Sequence, residues 1–198
     1  MRILLLATRN LDKVREISAK LSPLDIEVKS FLDFPQLPEV EEDGETLEAN
    51  ALIKAQAGFQ ATGIPTLADD TGLETDALNG APGVLSSRYA GENATYADNR
   101  RKLLRAMENV PNDQRQAVFR TVVTIFDELG FIQVEGRCAG IIVRMERGKG
   151  GFGYDPVFLV PEYAQTFAEM PLELKNRISH RGKALDKAIE VIKNRWGL

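Results

Sequence analysis

The sequence predicts a single α/β domain of 198 residues built on a mixed sheet, and three observations carry that reading. A β-prone run, Arg2 to Ala7, passes through a tight loop into residues spaced like one face of a helix. Two β-rich runs, Ala117 to Phe126 and Phe131 to Val143, flank the turn Asp127-Glu128-Leu129-Gly130, so the sheet is at least partly antiparallel. No internal repeat or low-complexity linker marks a boundary, so any division is into two lobes of one domain.

Composition excludes several classes of function. A hydrophobic fraction of 43% and a charged fraction of 27% are those of a soluble globular protein. The N-terminal apolar run, Ile3 to Ala7, is too short for a membrane span or a secretory core. One cysteine, Cys138, rules out an internal disulfide and fits a reducing compartment. One histidine, His180, rules out a zinc site made of several histidines. A net charge of −4 gives no field that would draw the chain to nucleic acid, so a bound polyanion must meet local lysines and arginines.

Taken in order, the strand at Arg2 to Ala7 leads through Thr8-Arg9-Asn10 to a helix carrying Leu11, Val14, Ile17 and Leu21. Thr8 or Asn10 is placed to cap that helix, whose free N–H groups and dipole suit phosphate. Lys13 in the first turn either adds a charge there or is a solvated surface lysine. Ile26 to Phe31 reads as a second strand. The acidic stretch Glu41-Glu42-Asp43-Gly44-Glu45 ends at Thr46, the cap of a helix reaching about Ala61. Leu47, Asn50 and Lys54 share one side of it, bordering a cleft or lying on a solvated flank.

Ile64 to Ala68 reads as a short buried strand ending in Asp69 and Asp70, followed by a Thr71-Gly72 turn. Alternation along the strand sends the two carboxylates to opposite sides. They form either an acidic turn or ligands for a hard cation such as Mg²⁺, which Glu41 and Glu42 could complete. Thr95 to Met107 reads as a helix with Leu103, Leu104 and Met107 inward. Gly148 to Pro156 is glycine-rich and holds Phe152 and Tyr154, a stacking platform for a base or a mobile loop. Val157 to Val160 is a further strand, and Lys183 to Trp196 a closing amphipathic helix. His180 is a surface helix-start residue or a ligand contact.

Five ordered stretches together resemble the inosine/xanthosine triphosphatase family, the pyrophosphatases of non-standard purine nucleoside triphosphates. They are Thr8-Arg9-Asn10-Leu11-Asp12-Lys13, Glu41 through Gly44 with Thr46 to Asn50-Ala51 and Lys54, Ala68 to Leu73, Gly150 to Pro156, and Ile178 to Gly182. The resemblance implies an elongated α/β fold, with a long central mixed sheet and two lobes flanking a nucleotide-binding cleft, usually as a homodimer. It implies Mg²⁺-assisted hydrolysis of ITP, dITP and XTP to monophosphate and pyrophosphate in the cytoplasm, with no stable binding to nucleic acid or membrane. By position, Thr8, Arg9, Asn10, Leu11, Asp12 and Lys13 would bind the triphosphate. Asp70 would be the acidic catalytic residue and, with Glu41, a metal ligand. Thr71, Phe152, Gly153, Tyr154, Asp155, Lys175, His180 and Arg181 would hold substrate, and Lys54 would add a cation on the phosphates. Arg9 stands where the family commonly has Gly, and Thr71 where Ser is commoner.

Two other functions fit some of these residues. A phosphatase using Asp70 as nucleophile would form a phospho-enzyme and release orthophosphate. A nucleotide-binding module would bind without turnover.

Overall fold

The computed structural model describes residues 2–198. The elements in order are β1 (Arg2–Leu6), α1 (Leu11–Leu21), β2 (Ile26–Ser30), α2 (Leu47–Thr62), β3 (Thr66–Thr75), β4 (Pro82–Gly83), α3 (Tyr96–Ala106), β5 (Gln116–Asp127), β6 (Gly130–Ile142), β7 (Phe158–Val160), β8 (Gln165–Thr166), α4 (Leu172–Ile178) and α5 (His180–Trp196). The strands form a mixed sheet in the order β2-β1-β3-β5-β6-β7-β8, with β4 paired to β3. Parallel pairing joins β1 to β2 (Arg2↔Ile26 through Leu6↔Ser30) and to β3 (Leu5↔Thr66). Antiparallel pairing joins β6 to β7 (Ile142↔Phe158) and β7 to β8 (Leu159↔Thr166).

The chain divides into two compact units. The first takes the chain as far as Asp70, with Thr121–Gly136 and Arg181–Leu198; the second comprises Thr71–Arg120 and Arg137–His180. In the first unit, β1 is buried on both faces, as a parallel strand under helices must be. Leu4 and Leu6 pack with Ile17 and Leu21 of α1 and with Leu185, Ala188 and Ile192 of α5. Leu5 and Ala7, pointing the other way, pack with Ala55 of α2 and with Phe31. The core of the second unit is aromatic: Phe119, Tyr154, Phe158 and Phe167 pack with Leu73, Leu103 and Met107.

The expected caps are present. Asn10 Oδ1 accepts from the N–H groups of Asp12 and Lys13, and Thr46 Oγ1 accepts from Ala49 N. Thr95, read from sequence as the helix's first residue, instead caps α3 in a reciprocal capping box with Asp98. Thr71-Gly72 is not a turn. β3 runs straight through it to Thr75, because Leu73 pairs with Gly83 and donates its N–H to Ser86 Oγ, which gives the extended backbone partners where a turn would have none. The final helix begins at His180, earlier than its apolar spacing suggested, and the short α4 precedes it. No helix among the described residues is long and apolar enough to cross a membrane.

Candidate functional site

In the first unit, β3 delivers Asp69 and Asp70 into a network of buried charges. Both are almost wholly enclosed, Asp69 at 3% and Asp70 at 7% exposure. As strand alternation requires, their carboxylates meet different partners. Asp69 Oδ2 accepts from Nε and Nη2 of Arg181, each at 3.1 Å, and Oδ1 lies 3.0 Å from Lys13 Nζ. Arg181 Nη1 in turn donates to Glu16 Oε2 at 2.7 Å. Asp70 Oδ1 instead accepts from Lys54 Nζ at 2.8 Å, and that ammonium also reaches the Asp69 carbonyl (2.9 Å) and Glu42 Oε1 (3.2 Å).

The helices explain these placements. The α1 cap at Asn10 fixes the first turn, so Lys13 and Glu16 share a face three residues apart and both reach β3's acidic neighbourhood. On α2, Leu47, Asn50 and Lys54 are all buried, so the solvated-flank alternative does not hold. Asn50 Oδ1 accepts from Gly44 N at 2.8 Å, tying the acidic loop to the helix. A Cβ at Gly44 would lie 2.6 Å from that oxygen, so the close approach requires glycine.

Burial and charge push the two adjacent aspartates in opposite directions. Burial opposes ionisation of Asp69, but Lys13 and Arg181, with Lys54, hold its carboxyl well below the usual carboxylate range. Burial pushes Asp70 up, outweighing the Lys54 and Lys13 charges, with Glu42 adding repulsion. Burial also lowers Lys13, and the neighbouring Lys54 and Arg181 add to that against the pull of Asp69. Lys54 is disfavoured by burial, yet Asp70 and Glu42 hold its pKa above the ordinary lysine value. The two neighbours are thus shifted in opposite directions, Asp69 down and Asp70 up.

The other residues of the first stretch organise the backbone. Thr8 Oγ1 accepts from Asn10 N, and the Arg9 guanidinium donates to the carbonyls of Phe31 and Leu37 at 3.2 and 2.6 Å. Leu11 is exposed and Asp12 half-buried in α1's first turn. Glu41 is exposed, whereas its neighbour Glu42 is the acid brought against Lys54. Glu16 completes the network without having been singled out from sequence, while Glu42, expected with Glu41 near Asp70, is the acid that reaches Lys54. For Glu16 the available signal was a carboxylate three residues from Lys13 and beside the buried Ile17.

In the second unit the glycine-rich stretch is tied to its surroundings by hydrogen bonds. Gly150 N donates to Ala168 O, and Asp155 Oδ2 accepts from Phe152 N (2.8 Å) and from Lys175 Nζ (2.5 Å). Gly151 sits at φ +66°, and a Cβ there would collide with the Asp155 carboxylate. The Gly153 carbonyl accepts from Arg100 Nη1. Tyr154 is buried, donates its hydroxyl to Ser86 O, and belongs to the core; burial pushes its phenol pKa far up. Phe152 remains half-buried, with the Lys175 ammonium 4.9 Å from its ring centre. His180 is also enclosed, stacked on Phe119 at 4.3 Å and 15°. Thr71 is half-buried on β3.

These features define an α/β protein whose first unit concentrates amines and carboxylates suited to phosphate chemistry and whose second unit offers aromatic rings beside charged groups. Comparison with known proteins narrows the class. Residues 4–191 match the Ham1 family model, and the chain belongs to that family. It is 54% identical over 190 residues to the dITP/XTP pyrophosphatase of Desulforamulus reducens, covering 96% of this chain and 94% of that relative. It is 51% identical over 186 residues to the protein of the same name from Geobacter sulfurreducens, covering 93% and 94%. Among solved structures, a HAM1 protein from Coxiella burnetii aligns with a TM-score of 0.88 at 42% identity, covering 98% of this chain and all of that one.

Proposed function

We propose that this protein hydrolyses ITP, dITP and XTP to the monophosphate and pyrophosphate, clearing non-standard purines from the nucleotide pool before they enter DNA or RNA. The relatives' shared activity and their near-complete coverage of the chain support the substrate class. The observation that carries the chemistry is the split fate of Asp69 and Asp70. Asp69, held ionised by Arg181 and Lys13, positions the Lys13 amine. Asp70, raised in pKa and held by Lys54, is the group able to orient water and accept its proton.

Lys13 and Lys54 then meet phosphate charge, and the capped start of α1 adds N–H groups and its dipole. Phe152 stacks on the base, with Lys175 and Asp155 fixing the loop that carries it. Arg181 acts at one remove, by holding the Asp69 carboxylate that positions Lys13, and His180 by packing the start of α5 against Phe119.

Among the described residues no group of three or more His, Cys, Asp or Glu side chains is arranged to hold a metal by itself. The residues do fit a hard cation that shares its ligands with phosphate: the Lys54 ammonium already rests on Asp70 Oδ1, Glu42 Oε1 and the Asp69 carbonyl, an all-oxygen set. Asp70 and Glu42 would hold Mg²⁺, with Glu41 beside them in the same acidic loop. When bound, the ion supplies neutralisation of phosphate charge. We place the enzyme in the cytoplasm and as a homodimer by the same family reading.

A panel of nucleoside triphosphates assayed with Mg²⁺, with the released product identified, tests the proposal. ITP and XTP cleaved to pyrophosphate far faster than ATP is the expected result. Orthophosphate with a phospho-enzyme, or binding without turnover, would overturn it.

A further inference from the structure

A cavity of about 460 Å³ lies in the second unit, beside the end of α3 and away from every residue assigned above. Four arginines line it, Arg101, Arg105, Arg115 and Arg144, against one acidic side chain, Glu108. Arg115 is the telling member because it is only 2% exposed. Its Nε donates to Ile142 O at 2.6 Å, Nη1 to Met107 O at 2.6 Å, and Nη2 to Val143 O at 3.1 Å. All are neutral carbonyls, and no carboxylate is among its partners. Arg144 likewise donates to Asn112 Oδ1 and to the carbonyls of Glu108 and Val110. Burial and the Arg144 charge both lower the Arg115 pKa, as expected of a guanidinium short of negative charge.

A buried charge without a counter-ion is costly, and carbonyl dipoles offset only part of that cost. Arg115 does close the end of α3, accepting the role of a C-terminal cap through Met107 O. Arg144 closes the same end through the carbonyls of Glu108 and Val110, and Arg101 Nη1 pairs with Asp98 Oδ1 at 2.9 Å. The cavity lining nevertheless carries four guanidinium groups against the single carboxylate of Glu108, an excess of positive charge that capping does not require. Guanidinium forks match the oxygens of a tetrahedral oxyanion, and several forks around one space select multiple charge over a single carboxylate.

We infer that this cavity is a binding site for a small phosphate-bearing anion, separate from the carboxylate–amine centre. The inference stands on the second unit alone and does not depend on the activity proposed above.

The test uses the full chain labelled with ¹⁵N-arginine. The buried, hydrogen-bonded Arg115 Nε–H signal is followed while sodium pyrophosphate or sodium phosphate is added at constant ionic strength, without divalent metal. A saturable shift with either salt is expected, tighter for pyrophosphate if two phosphoryl groups are engaged and equal if one is. Arg105→Glu, at an exposed position, should weaken the apparent affinity roughly tenfold or more by reversing a charge at the rim. Arg101→Glu provides a second exposed reversal should the first fail to fold. Lys13→Ala should leave the titration unchanged, which separates this site from the phosphate-handling centre. No shift, a shift reproduced by sodium chloride alone, or one unaltered by both reversals would overturn the inference.

Discussion

Around Asp69 and Asp70, ionised side chains interlock: Glu16 with Arg181, Arg181 and Lys13 with Asp69, Lys54 with Asp70 and Glu42. Around His180 the contacts are between rings, with Phe119 at 4.3 Å and Phe167 at 5.8 Å. Each region is buried, but by different means. In the first, every charge is tolerated because another offsets it, so removing one leaves its partner exposed to a low dielectric. In the second, burial is favourable in itself, and truncation costs mainly packing. Damage to the first region should therefore depend on which charge is lost and, through Asp69, on pH, whereas truncation of Phe119 or Phe167 in the second should cost mainly packing.

The largest effect expected is on stability, from Asp69→Asn. Arg181 and Lys13 would lose their shared counter-charge, and breaking a buried pair costs about 3–5 kcal/mol. Denaturant midpoints measure it. The pH dependence follows from the depressed pKa of Asp69. An unfolded Asp titrates near about 3.9, so the folded protein gains stability from this residue above that pH. The gain is lost as pH falls below it toward the lower folded value. The wild type should lose stability more steeply than Asp69→Asn below about pH 4. Parallel acid profiles would show that Asp69 is not held ionised.

Asp70→Asn should do the reverse. Its raised pKa means that burial already opposes the charge, so removing that charge should cost less stability than the Asp69 change. Turnover should instead fall by about two orders of magnitude or more, the scale of losing a positioned acid–base group. Near-normal turnover in a folded Asp70→Asn protein would remove it from the chemistry.

What sequence could supply is visible in which of these residues were found early. The caps at Asn10 and Thr46 and the β5–β6 hairpin depend on neighbours within a few positions, and all appear as expected. The partners of Arg181 do not. Glu16 lies 165 positions away, and nothing local in Ser179-His180-Arg181 announces it. The same holds for His180, which read alone was a surface helix start or a ligand contact, while Phe119 and Phe167 enclose it. Thr71-Gly72 misled for a related reason. The dipeptide has turn chemistry, but long-range pairing with Gly83 and Ser86 overrides local preference. Glu41 and Glu42 are equivalent in sequence, and only the three-dimensional loop brings Glu42 rather than Glu41 to Lys54.

Lys13→Ala tests the charged region with a smaller expected loss. A hydrogen bond to a charged group contributes about 1.5–3 kcal/mol, so inhibition by added pyrophosphate should weaken by roughly tenfold to a hundredfold. The ratio of specificity constants for ITP and GTP should stay as in the wild type, because the amine meets phosphate and not the base. A changed ratio would move Lys13 out of the phosphate role.

The smallest effect, and the sharpest contrast, is expected from Phe152→Ala. The ring is half-buried, with Lys175 on one side and Tyr96 at 5.9 Å, so truncation removes little core packing and stability should hardly move. A base stacked on an aromatic ring gains about 1–3 kcal/mol, and stacking is indifferent to the identity of the base. KM should therefore rise for ITP, XTP, GTP and ATP by similar factors, with kcat much less affected. Pyrophosphate inhibition should be untouched, which is the opposite of the Lys13→Ala pattern. Inosine monophosphate, which carries the ring, should bind more weakly to Phe152→Ala. If pyrophosphate inhibition weakens in Phe152→Ala as much as binding of inosine monophosphate does, the ring is bracing the glycine-rich loop through the Asp155–Phe152 and Lys175–Asp155 contacts and not stacking on a base, and the division of labour between the two regions fails.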